Sequence, residues 1–390
     1  MPERATHEER TGHGAAARGA SAGASRLRGG RPMSRPLSTR ALGGAELLQP
    51  THLEPRILCT PAEAGFDPAE DFIAWLRASK DDLFDALHRE GALLLRGFPV
   101  AGPEAFEALL LALDLDLEIS YRGGLSPRSR ITERTWTSTE VAEPLVIGYH
   151  TEMCYLPRRP RYVAFYCDVA PAEHGETVLF DAAAAWAGLP EPVRARLERL
   201  GVKYRRHFPG EAGPSNINKT WKSAFGVDTR EELERFLRDE GTAFEWNQDG
   251  SVTTEVSLPA VVRHAPTGAL CLSVTMNDGY SLTRNFERIA DRLAPSVVSD
   301  TRQMLAQLER SGYMRNLTGD GEPFSQEMND AISRAVWDAA ILFAWREGDV
   351  LLLDNIRMAH GRLNVAGPRR IAAALGNLYD VRVDQVAARP

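Results

Sequence analysis

The sequence predicts a mainly β fold with α decoration, a sandwich core of the double-stranded β-helix (jelly-roll) type. Three observations lead there. Strand-like runs rich in β-branched and aromatic residues recur, among them "PLVIGYH", "RYVAFYCDVA" and "SVTTEVSLPAVVRH". Helical patterns interrupt them irregularly instead of alternating as βαβα. No GxGxxG, P-loop or GxSxG motif and no internal repeat is present, which removes the doubly wound and α/β-hydrolase readings. The 390 residues, 43% hydrophobic and 25% charged, suffice for one large domain or two ordinary ones. A formal charge of -7 argues against a general polyanion binder, so nucleic acid is not an expected partner.

Taken in order, residues 1–40 are rich in Ala, Gly, Ser and Arg with hardly any large apolar side chain, and are expected to be disordered. They contain no apolar core of a secretory signal, and no later run approaches 18 apolar residues, so no membrane span is expected. The four cysteines lie far apart without a CxxC pair, which fits a reducing cytoplasm. "PAEDFIAWLRASKDDLFDALHREG" has helical spacing and ends on a glycine suited to a C-cap. "ALLLRGF" follows as a strand and "PEAFEALLLAL" as a helix. After the strands around position 150, helices return at "PEPVRARLERLG" and "TREELERFLRDEG". Strands resume at "SVTTEVSLPAVVRH" and "ALCLSVTM", then a helix at "EPFSQEMNDAISRAVWDAA" and the final runs "ILFAWREGDVLLLDN" and "RRIAAALGNLYDVRV".

The run "YHTEMCYLPRRP" places His150 and Glu152 two residues apart. On a strand, positions i and i+2 share a face, so imidazole and carboxylate would converge, and Cys154 would follow them inward. A lone HxE is common by chance. His360, just beyond the turn at "DN", supplies a second imidazole, and two imidazoles with one carboxylate make the facial triad of non-haem iron oxygenases. The other histidines have no comparable partner in the sequence.

From about Ile57 to Arg382 the chain resembles the taurine dioxygenase and clavaminate synthase superfamily of iron(II)- and 2-oxoglutarate-dependent oxygenases, and within it the syringomycin-type hydroxylases of natural-product pathways. The residues that carry the likeness are "YRGGLSPRSRITERTWTSTE", "YHTEMCYLPRRPRYVAFYCDVAPAEHGETVLFD", "TWKSAFGVDTREELERFLRDEG", "FEWNQDGSVTT" and "GDVLLLDNIRMAHGR". The resemblance implies one jelly-roll domain over 41–390 with a helical insertion at about 188–245. It implies His150, Glu152 and His360 as iron ligands, Thr177 of "GET" near the 2-oxoglutarate C1 carboxylate, and O2 as the other reactant. Glu152 disfavours halogenation, because halogenases of this type replace the carboxylate by a small residue.

The far carboxylate of 2-oxoglutarate needs a cation. Relatives supply two arginines four residues apart after the distal histidine, and in "PRRIAAAL" Arg370 takes the first place while Ala374 stands at the second. In a regular strand Arg370, Ala372 and Ala374 share one face, which makes Arg370 the first candidate; a bulge after "AGP" would substitute Arg369, and Arg362 of "HGR" is a third. Ser138, Thr139 and Glu140, in the segment before the first iron ligand, are substrate candidates that could equally satisfy their own turn, and Arg362 is a further one. The expected activity is oxidation, most simply hydroxylation, of an unactivated C–H bond in an amino acid or amino-acid-derived small molecule, with a peptidyl carrier protein as a plausible partner. The alternatives are a non-catalytic jelly-roll relative and an iron oxygenase that does without 2-oxoglutarate, both motivated by Ala374.

Overall fold

The computed structural model describes residues 40–42, 57–61, 69–124, 126–140, 144–211 and 219–382. The expected disorder of residues 1–40 lies, Arg40 apart, outside them. Two facing sheets form the core. The larger has seven strands in the order Arg40–Ala41, Ile57–Pro61, Ala92–Arg96, Val350–Asp354, Arg158–Val169, Arg370–Asp380 and Trp136–Thr137. The smaller has four, in the order Ala340–Leu342, Thr177–Asp181, Met358–Arg362 and Ile147–His150. Beyond the first three strands of the larger sheet, neighbours in space are remote in sequence, as in Val350–Asp354 beside Arg158–Val169, which a jelly roll requires.

"ALLLR" and "VLLLD" read as continuous apolar runs because both strands are covered on both faces. Leu93, Leu94 and Leu95 are fully buried, each worth about 1.5–3 kcal/mol of apolar burial. One face of the larger sheet meets the smaller sheet through Val163, Phe165, Leu179, Leu351, Ile371 and Ala373. Its other face, with Leu93, Leu95, Tyr166, Leu352, Ala372 and Ala374, packs on the helices Ala69–Ala78, Lys80–Glu90 and Pro103–Ala112. Gly91 caps the second of these helices in the left-handed region, its N–H bonding Leu87 O, as the sequence suggested.

The region read as a helical insertion holds the helices Glu191–Leu200, Trp221–Phe225 and Arg230–Asp239, but it is not helical alone. The strand Val202–Phe208 runs through it and joins Val252–Leu258, Ala243–Trp246 and Met314–Thr318 in a separate four-stranded sheet. Alternating burial in "VKYRRHF" shows why: one face of this strand is covered and the other is partly open to water.

Candidate metal centre and adjoining cavities

His150 is the last residue of the strand Ile147–His150, and it pairs directly across with His360 of Met358–Arg362. The two rings lie 4.3 Å apart by their centroids. The pairing slips between His360 and Arg362, and Gly361 makes the slip possible. A Cβ at Gly361 would stand 2.4 Å from Ile147 O and 3.1 Å from Gly148 O, both backbone atoms with little room to yield.

Glu152 reaches the same point by a different route from the one the sequence suggested. The strand ends at His150 and residues 151–156 form turns, with Met153 in the left-handed region at φ 56°. Asn355 fixes this turn: the Glu152 N–H donates to Asn355 Oδ1 at 2.7 Å, and Asn355 Nδ2 donates to Glu152 O at 3.1 Å and Pro160 O at 2.8 Å. Turn geometry, not strand alternation, therefore brings the carboxylate round. Cys154 lies off the site accordingly, packed in the hydrophobic cluster that contains Tyr149 and Tyr204.

Ligand atoms of His150, Glu152 and His360 all lie within 4.8 Å of one another, with His360 Nε2 3.6 Å from Glu152 Oε2. His150 Nδ1 sits 3.0 Å from Gly148 O, so Nδ1–H donates there and the Nε2 lone pair is left for a metal. Burial, reinforced by the neighbouring His360, pushes His150 down to about 4 and keeps it neutral. For Glu152 burial acts the other way, but Arg128 and the two imidazoles outweigh it and hold the carboxyl well below its ordinary range. His360 Nδ1 is buried without a hydrogen-bond partner. Two imidazoles and an ionised carboxylate converging on one point are the donor set of an iron(II) facial triad, so the residues present fit that ion.

Two side chains not singled out in the sequence complete the surroundings of Glu152. Tyr121 Oη donates to Oε1 at 2.6 Å, and Arg128 Nη2 donates to Oε2 at 3.1 Å, its guanidinium stacked 4.3 Å over the Tyr121 ring. Both lie in the "YRGGLSPRSR" stretch, where no local pattern marks them; only the fold brings them to position 152.

Beside the triad lies a small cavity lined by Thr177, Arg362, Arg369, Ser138 and both histidines. Arg369 donates to Gly175 O (2.9 Å), Ser138 Oγ (3.1 Å) and Thr177 Oγ1 (3.3 Å), all neutral acceptors. Gly175, at φ 72°, lets the Arg369 stem pass, since a Cβ there would lie 3.0 Å from its Cδ. Burial, then the nearby Arg362, lowers the Arg369 guanidinium to about 10, and burial lowers Arg362 to about 10. Three guanidiniums, of Arg128, Arg362 and Arg369, border this cavity, the first of them paired with Glu152, and they suit it to an anion. Thr177 also accepts from Trp345 Nε1 at 3.1 Å.

Arg370, the first candidate by strand parity, points away from the site. Its side chain is 60% exposed and pairs with Asp168 on the outside of the sheet. Strand pairing shifts register between Arg370 and Ile371, the kind of irregularity under which Arg369 is the alternative; Arg369, Ile371 and Ala373 turn inward, while Ala372 and Ala374 pack on the helices and Arg370 lies outside with Asp168. Ala374 therefore marks no loss from the site, although the inward residue four after Arg369 is again an alanine, Ala373.

Ser138 and Thr139 border the cavities, and Thr139 O accepts from Arg362 Nη1 at 3.2 Å. Glu140 does not reach the triad; it accepts from Thr137 Oγ1 at 2.8 Å within its own turn and from Ser129 Oγ, eleven residues earlier, at 3.1 Å. A second, larger cavity of about 850 Å³, open mouth included, adjoins the other side of the triad. Its walls include Leu145, Val146, Ile147, Leu282 and Leu308, with Thr275 and Asn277 as neutral polar groups.

Residues 57–375 match the family described as taurine catabolism dioxygenase TauD, TfdA. A clavaminate synthase-like protein of Arabidopsis thaliana is 28% identical over 311 residues, 78% of this chain and 87% of that protein. The dapdiamide synthesis protein DdaC of Enterobacter agglomerans is 27% identical over 304 residues, 76% of this chain and 87% of that protein. Among solved structures, the PvcB protein from Pseudomonas aeruginosa covers 88% of this chain and 92% of its own at 16% identity, with a TM-score of 0.46.

Proposed function

Because the chain belongs to the taurine catabolism dioxygenase family (TauD, TfdA), and is thus an iron(II)- and 2-oxoglutarate-dependent dioxygenase, we propose that it hydroxylates an unactivated C–H bond of an amino acid or amino-acid-derived natural-product intermediate, free or held by a carrier protein. The observation that carries this reading is the meeting of three features at one point: the His150–Glu152–His360 triad, a small cationic cavity and a larger, mainly apolar one. His150, Glu152 and His360 would hold the iron. Arg369, aided by Arg362, would hold the far carboxylate of 2-oxoglutarate together with the Thr177 hydroxyl, which lies 3.3 Å from Arg369 Nη2 and so stands at that end rather than at the C1 carboxylate. Iron with 2-oxoglutarate and O2 supplies the oxidising power, the cosubstrate leaving as succinate and CO2.

The chain's own residues set the conditions for that chemistry. His150 is neutral and its tautomer is fixed by Gly148 O; Glu152 is ionised and its backbone held by Asn355. The carboxylate occupies the place where a halide would have to bind, which favours hydroxylation over halogenation. The relative named a dapdiamide synthesis protein supports a place in natural-product synthesis. Among the described residues no helix is long and apolar enough to cross a membrane. The test is turnover with iron(II), 2-oxoglutarate and O2 against amino acids, their N-acyl derivatives and carrier-bound thioesters. A product one oxygen atom heavier, formed with succinate, supports the proposal; succinate without any oxidised product across the whole panel counts against the substrate class.

A further inference from the structure

We propose that Arg128 is the anchor for a carboxylate of the substrate, so that the larger cavity takes an acid with an apolar body. This deepens the reading above and rests on it for the position of the metal. The Arg128 side chain is only 6% exposed, and it borders both cavities at the triad. Among the described residues no other Lys or Arg lines the larger cavity, and no Asp or Glu does so apart from the metal ligand Glu152.

A guanidinium carries five donors in a planar fork that meets a carboxylate two at a time. Here one donor, Nη2, reaches Glu152 Oε2, and Nε is buried with no hydrogen-bond partner. A buried donor left unmet is costly, so the ligand that meets it is favoured over a neutral isostere. Once Glu152 shares its charge with a metal ion, Arg128 is left as an undercompensated cation facing a cavity with no other. The walls Leu145, Val146, Ile147, Leu282 and Leu308 would cover the apolar body. Apart from Glu152, which the metal would occupy, the polar side chains that an ammonium would meet there are neutral, Thr275 and Asn277 among them, so an N-acylated amino acid suits the cavity better than a free one.

A carboxylate at Arg128 could belong to the substrate or to 2-oxoglutarate, because the smaller cavity touches the same guanidinium. We assign it to the substrate because the smaller cavity already has Arg362, Arg369 and Thr177 for the cosubstrate. The test uses zinc-substituted protein saturated with 2-oxoglutarate and ligand-observed NMR titration of N-acetyl-L-leucine against N-acetyl-L-leucinamide. On the wild type the acid should bind about tenfold tighter than the amide. In Arg128→Met that preference should fall to about threefold or less while 2-oxoglutarate affinity stays within about threefold, and Arg128→Lys should lie between. Equal binding of the pair to wild type, binding of neither, or a preference that survives in both variants overturns the proposal. Weakened 2-oxoglutarate binding with the acid preference intact assigns the carboxylate to the cosubstrate and also overturns it. Because the assay needs no turnover, its failure is distinct from failure to find an oxidised product.

Discussion

Replacing Arg369 by alanine should weaken 2-oxoglutarate binding far more than the same change at the adjacent Arg370. Arg369 is half-buried, and among the described residues its hydrogen bonds go to neutral oxygens of Gly175, Ser138 and Thr177, so its charge is available to an incoming carboxylate. Losing one partner of a buried, hydrogen-bonded charge pair costs about 2–4 kcal/mol, a factor of roughly 30–900 in affinity. Arg362 in the same cavity keeps the loss toward the lower end. Arg370 is 60% exposed and paired with Asp168 on the outer face, so its removal should cost less than about 1 kcal/mol anywhere and nothing measurable at the cosubstrate. Anaerobic titration of the iron(II)-loaded variants with 2-oxoglutarate compares the two directly. Loss of affinity in Arg370→Ala with none in Arg369→Ala would refute the assignment of the inward face.

Other predictions concern the scaffold of the triad. Gly361→Ala places a Cβ 2.4 Å from Ile147 O, so it should cost at least about 2 kcal/mol in denaturant unfolding and loosen iron binding; unchanged values for both would show that the strand slip is not constrained there. Asn355→Ala frees the Glu152 backbone and strips three hydrogen bonds, so competition with a chelator should show about a tenfold to hundredfold loss of metal affinity, with wild-type affinity contradicting the clamp. Burial pushes the thiol of Cys154 up to about 11 and those of Cys167 and Cys271 up to about 12. The native state therefore keeps protons that the unfolded chain begins to lose near pH 9, and these sites withdraw stability as pH rises above that value. At about pH 8.5, iodoacetamide should modify the three slowly in native protein and fully after unfolding; rapid native labelling of Cys154, read by peptide mapping, would contradict its buried position.

That His150, Glu152 and His360 converge was legible because motif order survives any error about local geometry, although strand alternation is not what brings Glu152 round. The strand stops at His150, and a left-handed Met153 with the Asn355 clamp does the turning. The arginine that enters the small cavity was legible only as one of two adjacent candidates. Alternation separates Arg369 from Arg370, but which face is inner depends on the helices that pack against Ala372 and Ala374. Tyr121 and Arg128 could not be placed because their meeting with Glu152 spans 31 and 24 residues of irregular chain. The four-stranded sheet through 202–208 escaped for the same reason, its partners lying at 252–258 and 314–318.

The most direct test of the central claim, that the triad and the Arg369–Thr177 cavity form one iron and 2-oxoglutarate site, is spectroscopic. Metal-free protein is given iron(II) and 2-oxoglutarate without oxygen, and the weak visible metal-to-ligand charge-transfer band of the chelate is sought. The band is expected in the wild type and in Arg370→Ala, and absent in His360→Ala. Iron that binds to the wild type without ever producing the band would contradict the claim.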